Sequence, residues 1–397
     1  MELKILLFTN SLAGGGTERV AATLADHWAR RGWEVTLVTL APASEDFYVL
    51  EPSVRRVALD MAGESSGALD GALRNLRRIV ALRRLLVSLR PGVAMAMMST
   101  PNVLLAFAGS GLAGLRTIGS EHCYPPHAPL GRLWTALRRT GYGRLSAVVA
   151  LTRECADWIG ARTAARCVPV IPNPVTWPLP PALPRVAPEG LVEPRRKVLL
   201  AVGRLNPVKN FGMLVEVFAR LAPRHPDWDL VILGEGPERA RLEEAVSARG
   251  LAGRAFLPGL AGNVAEWHAR AGLFVLCSES EGFPMALAEA MCHGLPAVSC
   301  DCDTGPRDII RHGIDGLLAA AGNGAALEQA LDRLMGDDVL RREFAAQAID
   351  ARRRFGIERV AALWEALFDQ LAGARLPAIQ AGRMPDGRRA AGRRARP

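Results

Sequence analysis

Between Pro169 and Pro194 the chain carries nine prolines. Proline lacks the amide hydrogen that helix interiors and central strands use, so this stretch can only be a connection. The same pattern runs on either side of it. Short apolar runs alternate with segments of helical spacing, first Lys4–Thr9, Thr17–Arg31 and Glu34–Leu40, then Val93–Met97, Arg116–Gly119, Ala147–Leu151 and Val168–Ile171. After the prolines the alternation restarts with strands at Val198–Val202, Leu230–Leu233, Leu273–Cys277 and Pro296–Ser299. Helices fall at Phe211–Ala222, Glu238–Arg249, Met285–His293, Ala325–Met335, Asp338–Phe355 and Ile357–Leu371. Strands apolar along their whole length are buried on both faces, and alternation with helices makes the sheets parallel. The expectation is an α/β protein with two doubly wound, Rossmann-like domains. The first covers 1–172 and the second 197–356, joined by a linker over 173–196. A C-terminal helix over 357–372 can cross back to the first domain, and a basic tail over 373–397 has the composition of a disordered segment.

Composition narrows the class. A chain of 397 residues suits two domains of ordinary size. The seven cysteines are scattered without CxxC spacing, which fits a reducing cytosol and neither a zinc ribbon nor a disulfide framework. The opening MELKILLFTN lacks the apolar length of a signal peptide. Residues 91–115 carry no charge and could match a bilayer in length, but Pro91, Pro101 and Asn102 break them into a strand, a turn and a helix. Charge is uneven: residues 1–172 hold 20 Lys/Arg against 13 Asp/Glu, and 373–397 hold seven against one, whereas 173–372 hold 22 against 26. The two basic parts point to an anionic partner. No recognition motif for nucleic acid accompanies them.

Three loops carry the chemistry. In Glu281–Gly282–Phe283–Pro284–Met285–Ala286–Leu287–Ala288–Glu289, two carboxylates eight residues apart bracket a strand-to-helix turn. A helix start offers free amides and a positive dipole to an anion, and carboxylates beside it accept from sugar hydroxyls. Alone, the spacing also suits a helix cap and a solvated glutamate. The stretch Gly203–Arg204–Leu205–Asn206–Pro207–Val208–Lys209–Asn210 follows the first strand of the second half, where Arg204 and Lys209 can converge on one diphosphate and Gly203 permits close approach. A solvated basic loop is the alternative. Gly14–Gly15–Gly16–Thr17–Glu18–Arg19 joins the first strand to the first helix and departs from the dinucleotide GxGxxG pattern.

With these loops in this order, and with GEGPERARLE between them, the chain resembles glycosyltransferase family 4 of the GT-B fold over about residues 1–370. The resemblance implies two domains facing across a cleft and a reaction that retains anomeric configuration. Arg204 and Lys209 then hold the diphosphate of a nucleotide-sugar donor, UDP-linked by family weight. Glu281 touches the transferred sugar, Glu289 the ribose, and Gly15 and Gly16 lie near the diphosphate or the acceptor, with Gly282 and Phe283 part of the donor loop. Family members carry a histidine after a strand of the first domain, and His122 is the candidate here; a satisfied loop histidine is the other reading. The family often has Gly-Gly where this chain has Gly305–Pro306. Gly305–Ile310 and Gly313–Leu318 resemble bacterial members that build exopolysaccharide, lipopolysaccharide or lipid-linked oligosaccharide. Asp301–Cys302–Asp303 matches a short metal-binding pattern, but Arg204 and Lys209 already supply positive charge, so neither metal nor cofactor is expected, the nucleotide sugar being a substrate.

Residues Leu73–Leu89 form an amphipathic pattern with Arg74, Arg77, Arg78 and Arg84 on one side of the wheel. Such a helix can lie on anionic lipid or pack on its own sheet with a solvated arginine face. Together with the arginines of 132–144 and of the tail, it favours a peripheral enzyme on the inner face of the cytoplasmic membrane, acting on a lipid-linked acceptor. Two other readings remain open: a GT-B-fold epimerase of sugar nucleotides, and a catalytically silent sugar-binding subunit of an assembly complex.

Overall fold

The computed structural model describes residues 3–63, 68–180 and 182–373. Most of the basic tail, 374–397, lies outside the described residues. Twelve strands are described: β1 Lys4–Thr9, β2 Glu34–Thr39, β3 Arg55–Ala58, β4 Val93–Met97, β5 Arg116–Glu121, β6 Ala147–Ala150, β7 Lys197–Val202, β8 Trp228–Leu233, β9 Ala255–Gly259, β10 Leu273–Leu276, β11 Ala297–Asp301 and β12 Gly316–Ala320. They form two six-stranded sheets, ordered β3-β2-β1-β4-β5-β6 and β12-β11-β10-β7-β8-β9. Every strand pairing in them is parallel.

Burial on both faces explains the continuous apolar runs. In β1, Ile5 and Leu7 enter one core and Leu6 and Phe8 the other; in β7, Leu199 and Ala201 separate likewise from Val198 and Leu200. Successive side chains of a strand point to opposite faces, so only an all-apolar strand serves two helical layers. β3, β9 and β12, which the sequence patterning does not announce, are edge strands. β3 begins with two arginines and is only part-buried, so its apolar signal is weak. The expected strand Val168–Ile171 is reduced to one bridge, Val170 to Ala150, because Pro169 has no amide to give. The expected helix Asp338–Phe355 is two, Asp338–Ala348 and Ala351–Phe355. Residues 91–115 divide into β4, a turn and the helix Ser99–Ala108. No helix among the described residues is long and apolar enough to cross a membrane.

The last helix, Ile357–Ala372, leaves the second domain and packs on the first. Trp364, Leu367 and Phe368 join the core that holds Trp28 and Ile5. Trp28 Nε1 donates to Glu365 at 3.2 Å, and Arg31 pairs with the same carboxylate at 2.5 Å.

The helix Ala68–Leu89 corrects the wheel drawn from sequence. Arg78 is not a free surface cation: it donates to the backbone carbonyls of Met61 and Gly63, and Arg74 pairs with Asp70 at 2.9 Å. Arg77 and Arg84 remain exposed. Leu82 and Leu86 face the core, while Leu73, Leu76, Val80 and Val87 stand in solvent on the arginine side. The core-facing stripe is therefore narrower than the apolar stripe of the sequence.

Candidate functional site

In open parallel sheets, loops leaving the carboxyl ends of the strands on either side of an order reversal diverge and leave a crevice. The second sheet reverses between β7 and β10, and these strands deliver Arg204–Lys209 and Cys277–Glu281 to the same place. Backbone and side chain stitch the two loops together: Glu279 N donates to Val208 O at 2.9 Å and Cys277 Sγ to Lys209 O at 3.1 Å. The result is an ion pair between residues 72 apart, Lys209 Nζ to Glu281 Oε1 at 2.5 Å. Ser278 Oγ donates to the same oxygen at 2.6 Å, and Thr304 Oγ1 donates to the backbone carbonyl of Glu281. Glu281 is thus tied on three sides and is no loose cap.

A cavity of about 300 Å³ lies between this loop and the first domain. Gly16, Thr17, His122, Tyr124, His127 and Asn173 line one side of it, and Ser280 to Phe283 with Met285 the other. The cavity gathers Gly16, His122, Glu281, Gly282 and Phe283 from the residues expected at the site. Gly15, Gly203, Arg204, Lys209 and Glu289 are not in its lining, although Lys209 reaches it through Glu281. Arg204 is exposed and has no ion-pair partner among the described residues. The ring of Phe283 is core, edge-on to Phe355 with centroids 5.4 Å apart, so it anchors the loop. Glycine at 203 meets only ordinary contacts. The tight position is Gly234, at φ +148°, where a Cβ would sit 1.9 Å from the Gly203 carbonyl oxygen.

Gly282 lies tight against the first domain. A Cβ there would lie 2.3 Å from the His122 carbonyl oxygen. His122 follows β5 and is buried; its Nε2 lies 3.1 Å from Ser120 Oγ, while Nδ1 has no partner among the described residues. Burial pushes its pKa down to about 4, so the ring is neutral at pH 7. Behind it, the buried Glu121 carboxylate accepts from Tyr142 OH at 2.6 Å and from Ser99 Oγ at 2.8 Å.

The Gly-rich loop leads into the helix Gly16–Arg30 without a side-chain cap, leaving amides of the first turn without a partner among the described residues. Tyr48 OH donates to Gly15 O at 3.0 Å and holds the loop from outside. Two further side chains bridge the domains. Arg19 Nη1 meets Glu289 Oε1 at 2.5 Å, and His127 Nε2 meets Asp303 Oδ2 at 2.7 Å. Asp301 turns instead to Arg307 at 2.9 Å, so the two aspartates of the short metal-like pattern face different side chains, Arg307 and His127. No group of three or more metal-ligating side chains occurs among the described residues. Arg19, Tyr124, His127 and Asn173 escaped the sequence reading. Arg19 sat inside a motif already marked, but nothing in the motif shows which carboxylate it meets.

The description "Glycosyltransferase Family 4" matches residues 14–176, and "Glycosyl transferases group 1" matches residues 187–351. An exopolysaccharide phosphotransferase of Streptomyces coelicolor is 30% identical over an alignment that covers 91% of this chain. The chain spans 40% of that relative's length. A Campylobacter jejuni alpha-1,4-N-acetyl-D-galactosaminyltransferase, named for a saccharide on PP-undecaprenol, is 26% identical over 94% of this chain and 100% of its own. Among solved structures, Anabaena HepE in complex with UDP superimposes with a TM-score of 0.74 at 17% identity, over 92% of this chain and all of that one. That likeness is one of fold.

Proposed function

The chain belongs to the family 4 glycosyltransferases of GT-B fold, and from that premise we propose that it moves a hexose or N-acetylhexosamine from a nucleotide sugar to a lipid-linked or polysaccharide acceptor in cell-surface glycan synthesis, with retention of configuration. The observation that carries the reading is the Lys209–Glu281 pair at the edge of the interdomain cavity, facing a neutral His122. As the glycosidic bond breaks, negative charge grows on the leaving diphosphate. Lys209 and Arg204 offer it two cations, worth most in the transition state. Glu281 accepts from hydroxyls of the transferred sugar, and neutral His122 can donate to or accept from that sugar without adding charge. Glu289 takes the ribose, and the free amides after Gly15 and Gly16 face the diphosphate or the acceptor. UDP is the favoured nucleotide, consistent with the UDP-bound neighbour. No metal enters the scheme, because side chains supply the charge.

The acceptor reading is supported by the Campylobacter relative's name. The exposed stripe of Leu73, Leu76, Val80 and Val87, interleaved with Arg77 and Arg84, suits the boundary of an anionic bilayer, and so suits peripheral attachment at the inner face of the cytoplasmic membrane. Purified chain incubated with a panel of UDP and GDP sugars and membrane extract, followed by mass spectrometry, tests the proposal. One donor is expected to give a glycosylated lipid whose new linkage keeps the donor's anomeric configuration, and EDTA is expected to leave the rate within about twofold, since the leaving group's charge is met by side chains. Loss with EDTA and rescue by Mn²⁺ would overturn the metal-free scheme, and free sugar or an epimerised nucleotide sugar as sole product would overturn transfer.

A further inference from the structure

Arg19 has no part in the scheme above, yet it makes a close charged contact between the domains. It sits in the first turn of Gly16–Arg30, and its Nη1 lies 2.5 Å from Glu289 Oε1, 270 residues away. The Glu289 carboxylate is buried, while the Arg19 side chain is 40% exposed. Oε2 of Glu289 takes no hydrogen bond among the described residues, so one oxygen faces Arg19 and the other is left for a further donor. Burial pushes the Glu289 pKa up, and Arg19 is the group that opposes it. The carboxylate in turn holds the guanidinium well above its usual range. The other titratable and charged groups nearby are Tyr48, Cys292, His293, Arg352 and Arg354. Tyr48 stands beside Arg19, Cys292 is a thiol that burial pushes up to about 12, and His293, lowered by burial, has Nδ1 2.9 Å from the backbone carbonyl of Glu289 and its ring against Trp177 and His268. Arg352 donates to the Cys292 carbonyl at 2.6 Å, and Arg352 and Arg354 both lie close enough to act on the Cys292 thiol.

We propose that Arg19 is a positioning residue for the donor nucleotide: from the N-terminal domain it keeps Glu289 ionised and aimed, so that ribose recognition on the C-terminal domain is completed only when the domains meet. This rests on the reading of Glu289 as the ribose contact. A carboxylate offers acceptors to both ribose hydroxyls, whereas its protonated form spends one oxygen as a donor. Without Arg19 the buried side chain takes up a proton more readily. Arg19 then acts through Glu289 and need not touch the nucleotide.

Isothermal titration of the full chain, with whichever of UDP and GDP the wild type binds, tests this between pH 5.5 and 8.5. Arg19→Ala is expected to weaken binding by about tenfold at pH 6, on the scale of truncating a close charge pair. The deficit should shrink as pH rises and Glu289 ionises unaided. Arg19→Lys should restore most of the affinity, and Arg19→Ala should add nothing in a Glu289→Gln background. Melting curves check that each variant folds. A deficit equal at every pH and persisting in Glu289→Gln overturns the proposal, because Arg19 then contacts the nucleotide itself. Unaltered binding in Arg19→Ala while Glu289→Gln is weak also overturns it, leaving Arg19 a plain tie between domains. If Glu289→Gln alone binds normally, the ribose reading has failed instead, and the proposal falls with it.

Discussion

The two walls of the cavity differ in how they are charged. The C-terminal wall carries Glu281, which Lys209 pairs with from behind, and Arg204 stands exposed in the same loop as Lys209. The N-terminal wall presents Gly16, Thr17 and a histidine that burial keeps neutral. The division is physical. Cations that stabilise a leaving diphosphate must be fixed before the reaction, which the rigid crevice between β7 and β10 provides. The opposite wall needs shape, close approach and uncharged hydrogen bonding, which small residues and backbone supply. Arg19 is the exception, and it is directed at a carboxylate of the other domain.

If the C-terminal wall supplies the charge, Lys209→Ala should cost the most, about 10²- to 10³-fold in kcat, the scale of losing one preorganised transition-state contact. Arg204→Ala should fall near it. Steady-state kinetics on folded protein with normal melting would show this, and full activity in both variants would break the division of labour. Glu281→Ala should follow, at about 10²-fold in kcat with donor KM little changed, whereas Glu289→Ala should mainly raise donor KM, because ribose does not react. A Glu281 variant that melts early but turns over normally would reduce that residue to a structural cap.

Gly282→Ala probes the contact between the walls. Its methyl would lie 2.3 Å from the His122 carbonyl oxygen, so the domains must part. The cost of such overpacking, ~1–3 kcal/mol, should lower kcat/KM by about tenfold to a hundredfold with little change in melting, since each domain's own core is untouched. Unchanged kinetics would mean that catalysis does not need this approach.

The last effect concerns His122. Its folded pKa of about 4 lies below the value near 6.5 of an unfolded histidine, so between these pH values the unfolded chain binds more protons. The neutral ring's contribution is complete above about pH 6.5 and is lost as pH falls through about 4. On acidification from pH 7.5 to 4.5 the wild type should therefore lose more Tm than His122→Gln, by roughly 5–10 °C, what ~2.5 kcal/mol of linkage over about two pH units moves in domains of this size. Equal losses would mean that His122 is not buried in solution.

Much of the site was legible because its signals are local. The paired-glutamate turn and the Gly-Arg…Lys loop each occupy fewer than ten residues, and both stand at the carboxyl end of a strand. The Gly-rich loop was marked for its glycines, yet Arg19 within it proved to carry the interdomain contact. Phe283 was read as part of the donor loop; its ring packs edge-on against Phe355 while the residue also lines the cavity, and a loop aromatic looks alike in both roles. Gly203 was read as permitting close approach of a diphosphate; the crowding within the protein falls at Gly234 on the neighbouring strand's loop, which sequence spacing cannot place beside it. On the helix Ala68–Leu89, hydrophobic spacing reported where apolar residues lie and not which of them a neighbour covers; Leu76 and Val80 are exposed.

The sequence by itself determined the two parallel α/β units, the proline break between them and the identity of the charged residues at the strand ends. Strand alternation, helical period and proline chemistry act within a few residues, so they can be read along the chain. Only the tertiary structure decided that Lys209 meets Glu281 across 72 residues, that Arg19 meets Glu289 across 270, and that Trp364 and Phe368 close the first domain's core. Those contacts depend on the strand order of each sheet and on how closely the domains meet at Gly282, and no period along the chain encodes either.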